Sequence, residues 1–256
     1  AQLFLDNEHN PAFDDFGLVF TTDEEVGGFK GVGKLIEAGL KADTVLNPDG
    51  AYPFTPSLSE KGIVHMRIDA SGKAAHGSRP WQGENAINNL IEDLKRIEGL
   101  YDFADAANMW TVSMNIGRIE GGKSTNSVPE SASAYVDFRL PPEVDPEELK
   151  LRVAGALQNS VSTVLIEGDA VSIDENSPAL KNLQRALSEH GYDHPPLREH
   201  GGSDARWFTK QGSEILLIKP EGSEGHVSEE WVSLSGLADF YDVIDSFVKL
   251  QSKKQN

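Results

Sequence analysis

Between residues 60 and 170 the apolar positions follow two alternating periods. Val64, Met66, Ile68 and Ala70 alternate with His65, Arg67 and Asp69, which predicts a strand with one solvated face. Residues 83–98 put Ala86, Ile87, Leu90, Ile91, Leu94 and Ile97 on one helical stripe with polar residues opposite. Alternation returns at Val112, Met114 and Ile116, and again at Ala134, Val136, Phe138 and Leu140, giving two more half-buried strands. A helix over 146–158 carries Pro near its start, and residues 164–166 close the set as a strand. Strand, helix, strand, strand, helix, strand is the split βαβ arrangement, a four-stranded sheet with two helices on one face.

The flanks follow a different rhythm. Residues 17–22 read as a short buried strand, and the glycines after it open a helix whose apolar face includes Leu35, Ile36 and Leu40. Residues 44–46 form a second short strand, stopped by the turn Asn47-Pro48-Asp49-Gly50. Further on, Ser177 caps a helix with Pro178 at its first position and Gly191 beyond its end. An apolar strand at 215–218 and an amphipathic helix through Leu237, Phe240, Ile244 and Phe247 follow. The expectation is an α/β chain in which residues 1–58 and 171–256 make one domain, interrupted by an insert over 59–170.

Charge and composition narrow the partners. The 256 residues carry 23 basic against 41 acidic side chains, a formal charge of −18, which disfavours a polyanion because nucleic acids and anionic membranes are held by clustered Lys and Arg. There is no cysteine, so a transition metal has only carboxylate and imidazole ligands available, and the composition suits a cytoplasmic location. No apolar run is long enough to span a bilayer.

Four places carry candidate chemistry. Asp23, Glu24 and Glu25, in Thr21-Thr22-Asp23-Glu24-Glu25-Val26-Gly27-Gly28, sit where a strand turns into a helix, the end at which α/β proteins place ligands. Consecutive side chains diverge, so one glutamate can bind a cation while its neighbour takes a proton from water; an acidic helix start favoured by the macrodipole is the alternative. Asp49 follows the second strand, where an ordinary turn-forming role competes with a ligand role. His226 follows the 215–218 strand among glycines, either as a ligand or as a surface histidine. His76, in Ala74-Ala75-His76-Gly77-Ser78-Arg79-Pro80-Trp81, lies on a constrained turn from which an imidazole can stabilise an oxyanion.

Together these motifs resemble the zinc metallopeptidase and amidohydrolase superfamily that includes aminoacylase, carboxypeptidase G, acetylornithine deacetylase and succinyl-diaminopimelate desuccinylase. The resemblance rests on Thr22-Asp23-Glu24-Glu25 with Gly27-Gly28, Ala75-His76-Gly77-Ser78-Arg79-Pro80, Asn126-Ser127-Val128-Pro129 with Asp137-Phe138-Arg139, Gly201-Gly202-Ser203-Asp204-Ala205-Arg206, and Gly225-His226. It implies a zinc-peptidase-like catalytic domain with an inserted ferredoxin-like lid that dimerises. It makes Glu24 the general base, Glu25 and His226 ligands of one metal and Asp49 a ligand of the other. His76 becomes the lid histidine that reaches a partner subunit's site, and Asn126, Arg139, Gly202, Ser203 and Arg206 fall at substrate-binding positions. Two zinc ions per site are implied, with cobalt or manganese as substitutes. The substrate would be a small N-acyl amino acid or a short peptide, and the assembly a homodimer.

One departure stands out. Relatives carry a His-x-Asp motif and a bridging aspartate upstream of the paired glutamates, and His9, Asp14 and Asp15 fit neither. The chain therefore reads as an N-terminally truncated member. The competing expectations are a non-catalytic dimerisation or binding protein, or an inactive fragment. A calcium-binding acidic protein would use Asp23, Glu24, Glu25 and Asp49 but leave His226 idle.

Overall fold

The computed structural model describes residues 2–223 and 228–252. It divides into a discontinuous unit, Ala1–Glu60 with Val171–Asn256, and an inserted unit, Lys61–Ala170. The first part of the discontinuous unit holds α1 (Gln2–Asp6), α2 (Val32–Glu37), β1 (Thr44–Asn47) and β2 (Ser57–Glu60).

Residues 17–22, expected as a buried strand, form no strand, and Leu18, Val19 and Phe20 are exposed, Phe20 at 77%. β-propensity makes a strand only where a neighbour completes its backbone hydrogen bonds, and no described strand pairs with this run. The helix that follows is also shorter than its pattern suggests. α2 ends at Glu37, and Gly39, with φ +100°, turns the chain so that Leu40 packs on the core from beyond the helix while Leu35 faces out.

In the inserted unit the period-2 pattern becomes β3 (Gly62–Ser71), whose residues alternate between buried and half-buried. There follow β4 (Ala75–His76), α3 (Ala86–Glu98), β5 (Ser113–Gly121), β6 (Ser127–Val128), β7 (Ser131–Leu140), α4 (Pro146–Ala156) and β8 (Ser160–Gly168). The main sheet is fully antiparallel in the order β5-β7-β3-β8, and β4 pairs separately with β6. This is the split βαβ topology. Val64, Met66, Ile68, Ala134, Val136 and Phe138 from the sheet meet Leu90, Leu94 and Ile97 of α3 and Leu149 and Val153 of α4 in one core. Asn85 caps α3 by accepting from the amides of Ile87 and Asn88, and Asp145 caps α4 ahead of Pro146.

The chain then returns to the discontinuous unit through β9 (Val171–Ser172), α5 (Pro178–Glu189), β10 (Leu197–Glu199), β11 (Glu214–Leu217) and α6 (Leu234–Ser252). Its sheet runs β1-β11-β2-β10, with β9 also on β2; β1 is parallel to β11 and β10 to β2. Ser177 caps α5 through the amide of Leu180, and Leu180, Leu183 and Leu187 pack with Leu216, Leu217, Val243 and Phe247. Among the described residues no helix is long and apolar enough to cross a membrane.

Candidate active site

The Glu24–Glu25 segment is a single 3-10 turn, Glu24–Val26, closed by its own backbone: Val26 and Gly28 donate to Asp23 O, and Gly27 donates to Glu24 O at 2.7 Å. Gly27 and Gly28 have φ of +96° and +66°, and a Cβ on Gly28 would come within 2.1 Å of Asp204 Oδ1. Only glycine fits there. Asp23 is spent on the loop, its Oδ2 accepting from the amides of Lys30 at 2.8 Å and Gly31 at 2.9 Å. That leaves Glu24 half-buried and Glu25 exposed.

Carboxylates from three chain segments act electrostatically on this turn. Burial pushes the Glu24 carboxyl above its ordinary range, and the charges of Asp49, Asp204 and Glu25 push it further, against the opposing pull of Arg206. Asp49 lies just past β1, where Gly50 is pressed against the backbone of Ile218. Asp204 opens the 3-10 helix Asp204–Gln211. Its two carboxylate oxygens are buried without a completed hydrogen bond, although Thr21 and Trp207 approach, and burial raises its pKa. Arg206, on the same helix, is 8% exposed and donates from Nη2 to Gly27 O at 2.7 Å.

Behind them lies a second pair of acids. Glu60 and Glu199 are register partners across β2 and β10 and both are buried. Glu60 accepts from Ser203 N at 3.2 Å and Ser203 Oγ at 2.9 Å, while Glu199 accepts from Ala51 N at 2.7 Å and from the Ser57 hydroxyl. Burial raises both carboxyls, Glu60 to about 8, with the charge of Asp49 contributing to each.

In the inserted unit His76 is held by pairing across β4 and β6, where it faces Ser127, and by the amide of Gly77 donating to Asn126 O at 2.7 Å. The backbone N–H of Ser78 points at His76 Nδ1 at 3.2 Å, and its hydroxyl lies 2.8 Å away. An amide can only donate, so Nδ1 accepts and the exposed ring, when neutral, carries its proton on Nε2. Asn126 is exposed, its Oδ1 accepting from Ser124 Oγ at 2.7 Å. Arg139 is elsewhere. It lies near the far end of β7, opposite Ile63, with its Nε 3.0 Å from Asp137 Oδ1, whereas the His76 loop springs from the end of β3 that faces Ser131. Eight strand positions separate those ends, about 26 Å.

Residues 58–162 match the family described as the peptidase dimerisation domain. The chain is 34% identical over 183 residues to a probable carboxypeptidase of Aspergillus niger, an alignment spanning 62% of this chain and 41% of that protein, and 34% identical over 144 residues to one from Aspergillus terreus, spanning 48% and 31%. Its fold matches a tripeptidase from Staphylococcus aureus with a TM-score of 0.77 at 21% identity, covering 91% of this chain and 63% of that one. It also matches an M20 family metallo-carboxypeptidase from Sulfolobus solfataricus with a TM-score of 0.73 at 18% identity, covering 90% and 69%. Residues 58–162 are thus similar to a peptidase dimerisation domain, and the fold is that of M20 peptidases. The chain spans about two fifths of the length of the Aspergillus niger relative.

The crowding at the Glu24 turn fits a bound cation. Like charges from Glu24, Glu25, Asp49 and Asp204 gather where buried carboxylate oxygens lack hydrogen-bond partners, and oxygen donors of this kind suit a divalent ion. Among the described residues, no three His, Cys, Asp or Glu side chains are placed to hold a metal by themselves. His226, the expected imidazole ligand, lies outside the described residues. Three acids around this turn, Glu60, Glu199 and Asp204, carry no mark in the sequence that sets them apart from surface acids. Asp204 does not stand out within the motif that holds it, while Glu60 and Glu199 sit in short strands whose polar residues signal solvent exposure rather than burial.

Proposed function

We propose that the protein carrying this chain hydrolyses an amide bond in a short peptide or a small N-acyl amino acid, with Glu24 as general base. The observation that carries this reading is the combined charge of Asp49, Glu25 and Asp204 acting on the half-buried Glu24, on a turn closed by two left-handed glycines. The names of the Aspergillus relatives favour a carboxypeptidase. Glu25, Asp49 and His226 would hold divalent metal, zinc in the expected case, which supplies Lewis acidity and a more acidic water when bound.

The chain's own residues do the rest. Glu24, half-buried and with a raised pKa, accepts the proton of the attacking water and returns it to the leaving amine. His76 offers Nε2–H to the scissile carbonyl oxygen as it gains charge. Asn126, Arg139 and the backbone at Gly202 orient the substrate, Arg139 through its carboxylate. Because His76 and Arg139 lie near opposite ends of one sheet, a single inserted unit cannot turn both to one small substrate. A homodimer through the inserted unit, in which His76 serves the partner's site, resolves this, and the match over 58–162 supports it.

The test is Glu24→Ala in the whole protein. Turnover is expected to fall about 100- to 10,000-fold, while metal content stays near that of the unmodified protein. Loss of metal together with activity would make Glu24 a ligand and defeat its role as base.

A further inference from the structure

Arg206 stands at a substrate-binding position by resemblance, yet its surroundings describe a different task. A guanidinium that receives a substrate carboxylate needs an open fork. Arg206 is 8% exposed, and its Nη2 is spent on the carbonyl of Gly27, the residue that ends the Glu24–Val26 turn. That carbonyl belongs to a left-handed glycine next to a second one, so its direction fixes the path of the chain through Glu24 and Glu25. The helix bearing Arg206 is itself anchored at its start. Ser203 is the N-cap, accepting from Ala205 N at 3.3 Å, and both its amide and its hydroxyl donate to the buried Glu60. Trp207 adds a third hold: its ring lies within about 3.1 Å of where a Gly33 Cβ would stand and packs edge-on against Phe29 at 5.3 Å.

We propose that Arg206 is a positioning residue: braced through Ser203 and Glu60, it holds the Gly27 carbonyl and thereby aims the Glu24 and Glu25 carboxylates, without binding substrate. The assignment rests on the hydrolase reading for its catalytic consequence, but the brace itself can be tested without activity.

The experiment uses Arg206→Gln and Arg206→Lys in the whole protein, with two readouts. In hydrogen exchange, the amides of Val26, Gly27 and Gly28 are expected to exchange at least about tenfold faster in Arg206→Gln, with the inserted unit unchanged; Arg206→Lys, which keeps one donor, should recover part of that protection. Unchanged exchange at these three amides overturns the brace whether or not the protein is a hydrolase. Should Arg206→Gln fail to fold, Arg206→Lys alone carries this readout. In kinetics, a substrate with a free terminal carboxylate is compared with its amide. Positioning predicts that kcat falls on the order of 100-fold for both while each KM moves less than about threefold. A rise in KM confined to the free carboxylate, erasing the preference between the pair, would make Arg206 a substrate receptor and overturn the proposal. If the unmodified protein hydrolyses neither, the hydrolase reading fails and the exchange result still decides the brace.

Discussion

Glu60 is 2% exposed at the end of β2, and burial, aided by the charges of Glu199 and Asp49, outweighs two hydrogen bonds from Ser203 and pushes its carboxyl up to about 8. The native state therefore keeps a proton that the unfolded chain gives up near 4.5. Stability from this group is complete below about pH 4.5 and is lost as pH rises through about 8, because over that window the unfolded state binds fewer protons. Glu60→Gln keeps the acceptor for Ser203 and cannot ionise. It should weaken the dependence of the denaturation midpoint on pH between 4.5 and 8, and at pH 8.5 it should be more stable than the unmodified protein by a few kcal/mol, on the order of 5 at most. An unmodified protein whose stability is flat over that window would contradict a neutral Glu60. The sequence hides this residue because β2 inverts the usual rule. In Ser57-Leu58-Ser59-Glu60 the polar residues are buried and Leu58 is half-buried, since β11, β10 and β9 all pair with this short strand and cover it. The acidic run Asp23-Glu24-Glu25 is visible in the sequence, but the strand expected ahead of it is not formed.

Elements were readable where their pattern was long enough to specify a partner. β3 and β7, with ten residues each, alternate in burial along most of their lengths, and the stripe of α3 was correct except for Ile91, which is 42% exposed. The run at 17–22 had composition without a partner, and composition alone does not make a strand. What periodicity could not reveal is how α3 is fastened. Asp93 is fully buried, accepts from the amides of Gln158 and Asn159, and pairs with Arg96, so it ties the middle of α3 to the turn between α4 and β8. Burial works to raise its pKa, but these bonds outweigh it and hold the carboxyl below its ordinary value. Here the sign is opposite to that of Glu60. The stabilisation is present above the unfolded value near 3.9 and is lost as pH falls through the lower native value. Asp93→Ala leaves two partly buried amides without their carboxylate partner and should cost about 1–3 kcal/mol at pH 7 by chemical denaturation. The cost should shrink below pH 3; an equal loss at pH 7 and pH 2.5 would mean that the ionised form is not what holds the turn.

At the scale of the molecule, β8 is the surface on which the proposed homodimer would form. It is an edge strand of the main sheet, and Val161, Val164, Leu165 and Ile166 are all at least 36% exposed. Val161 and Ile166 sit opposite Asp69 and His65, on the face away from the buried row Val64, Met66, Ile68 and Ala70, so no helix of the inserted unit covers them. An apolar open edge invites pairing with another strand, and a chain with a charge of −18 resists unspecific association, which leaves a specific second copy as the partner this edge suits. A charge placed here should separate the copies without touching the core. Val161→Lys with Leu165→Lys is expected to shift the whole protein from dimer to monomer in sedimentation, leaving the circular dichroism of the fold unchanged. On the proposed reading, activity should fall with it, because His76 and Arg139 would then no longer be brought to one substrate from two chains. Mixing this double variant with a Glu24→Ala protein that keeps its own edge should restore nothing, since neither can form the mixed pair. A monomer with full activity would place His76 in its own chain's site and remove the need for a second copy.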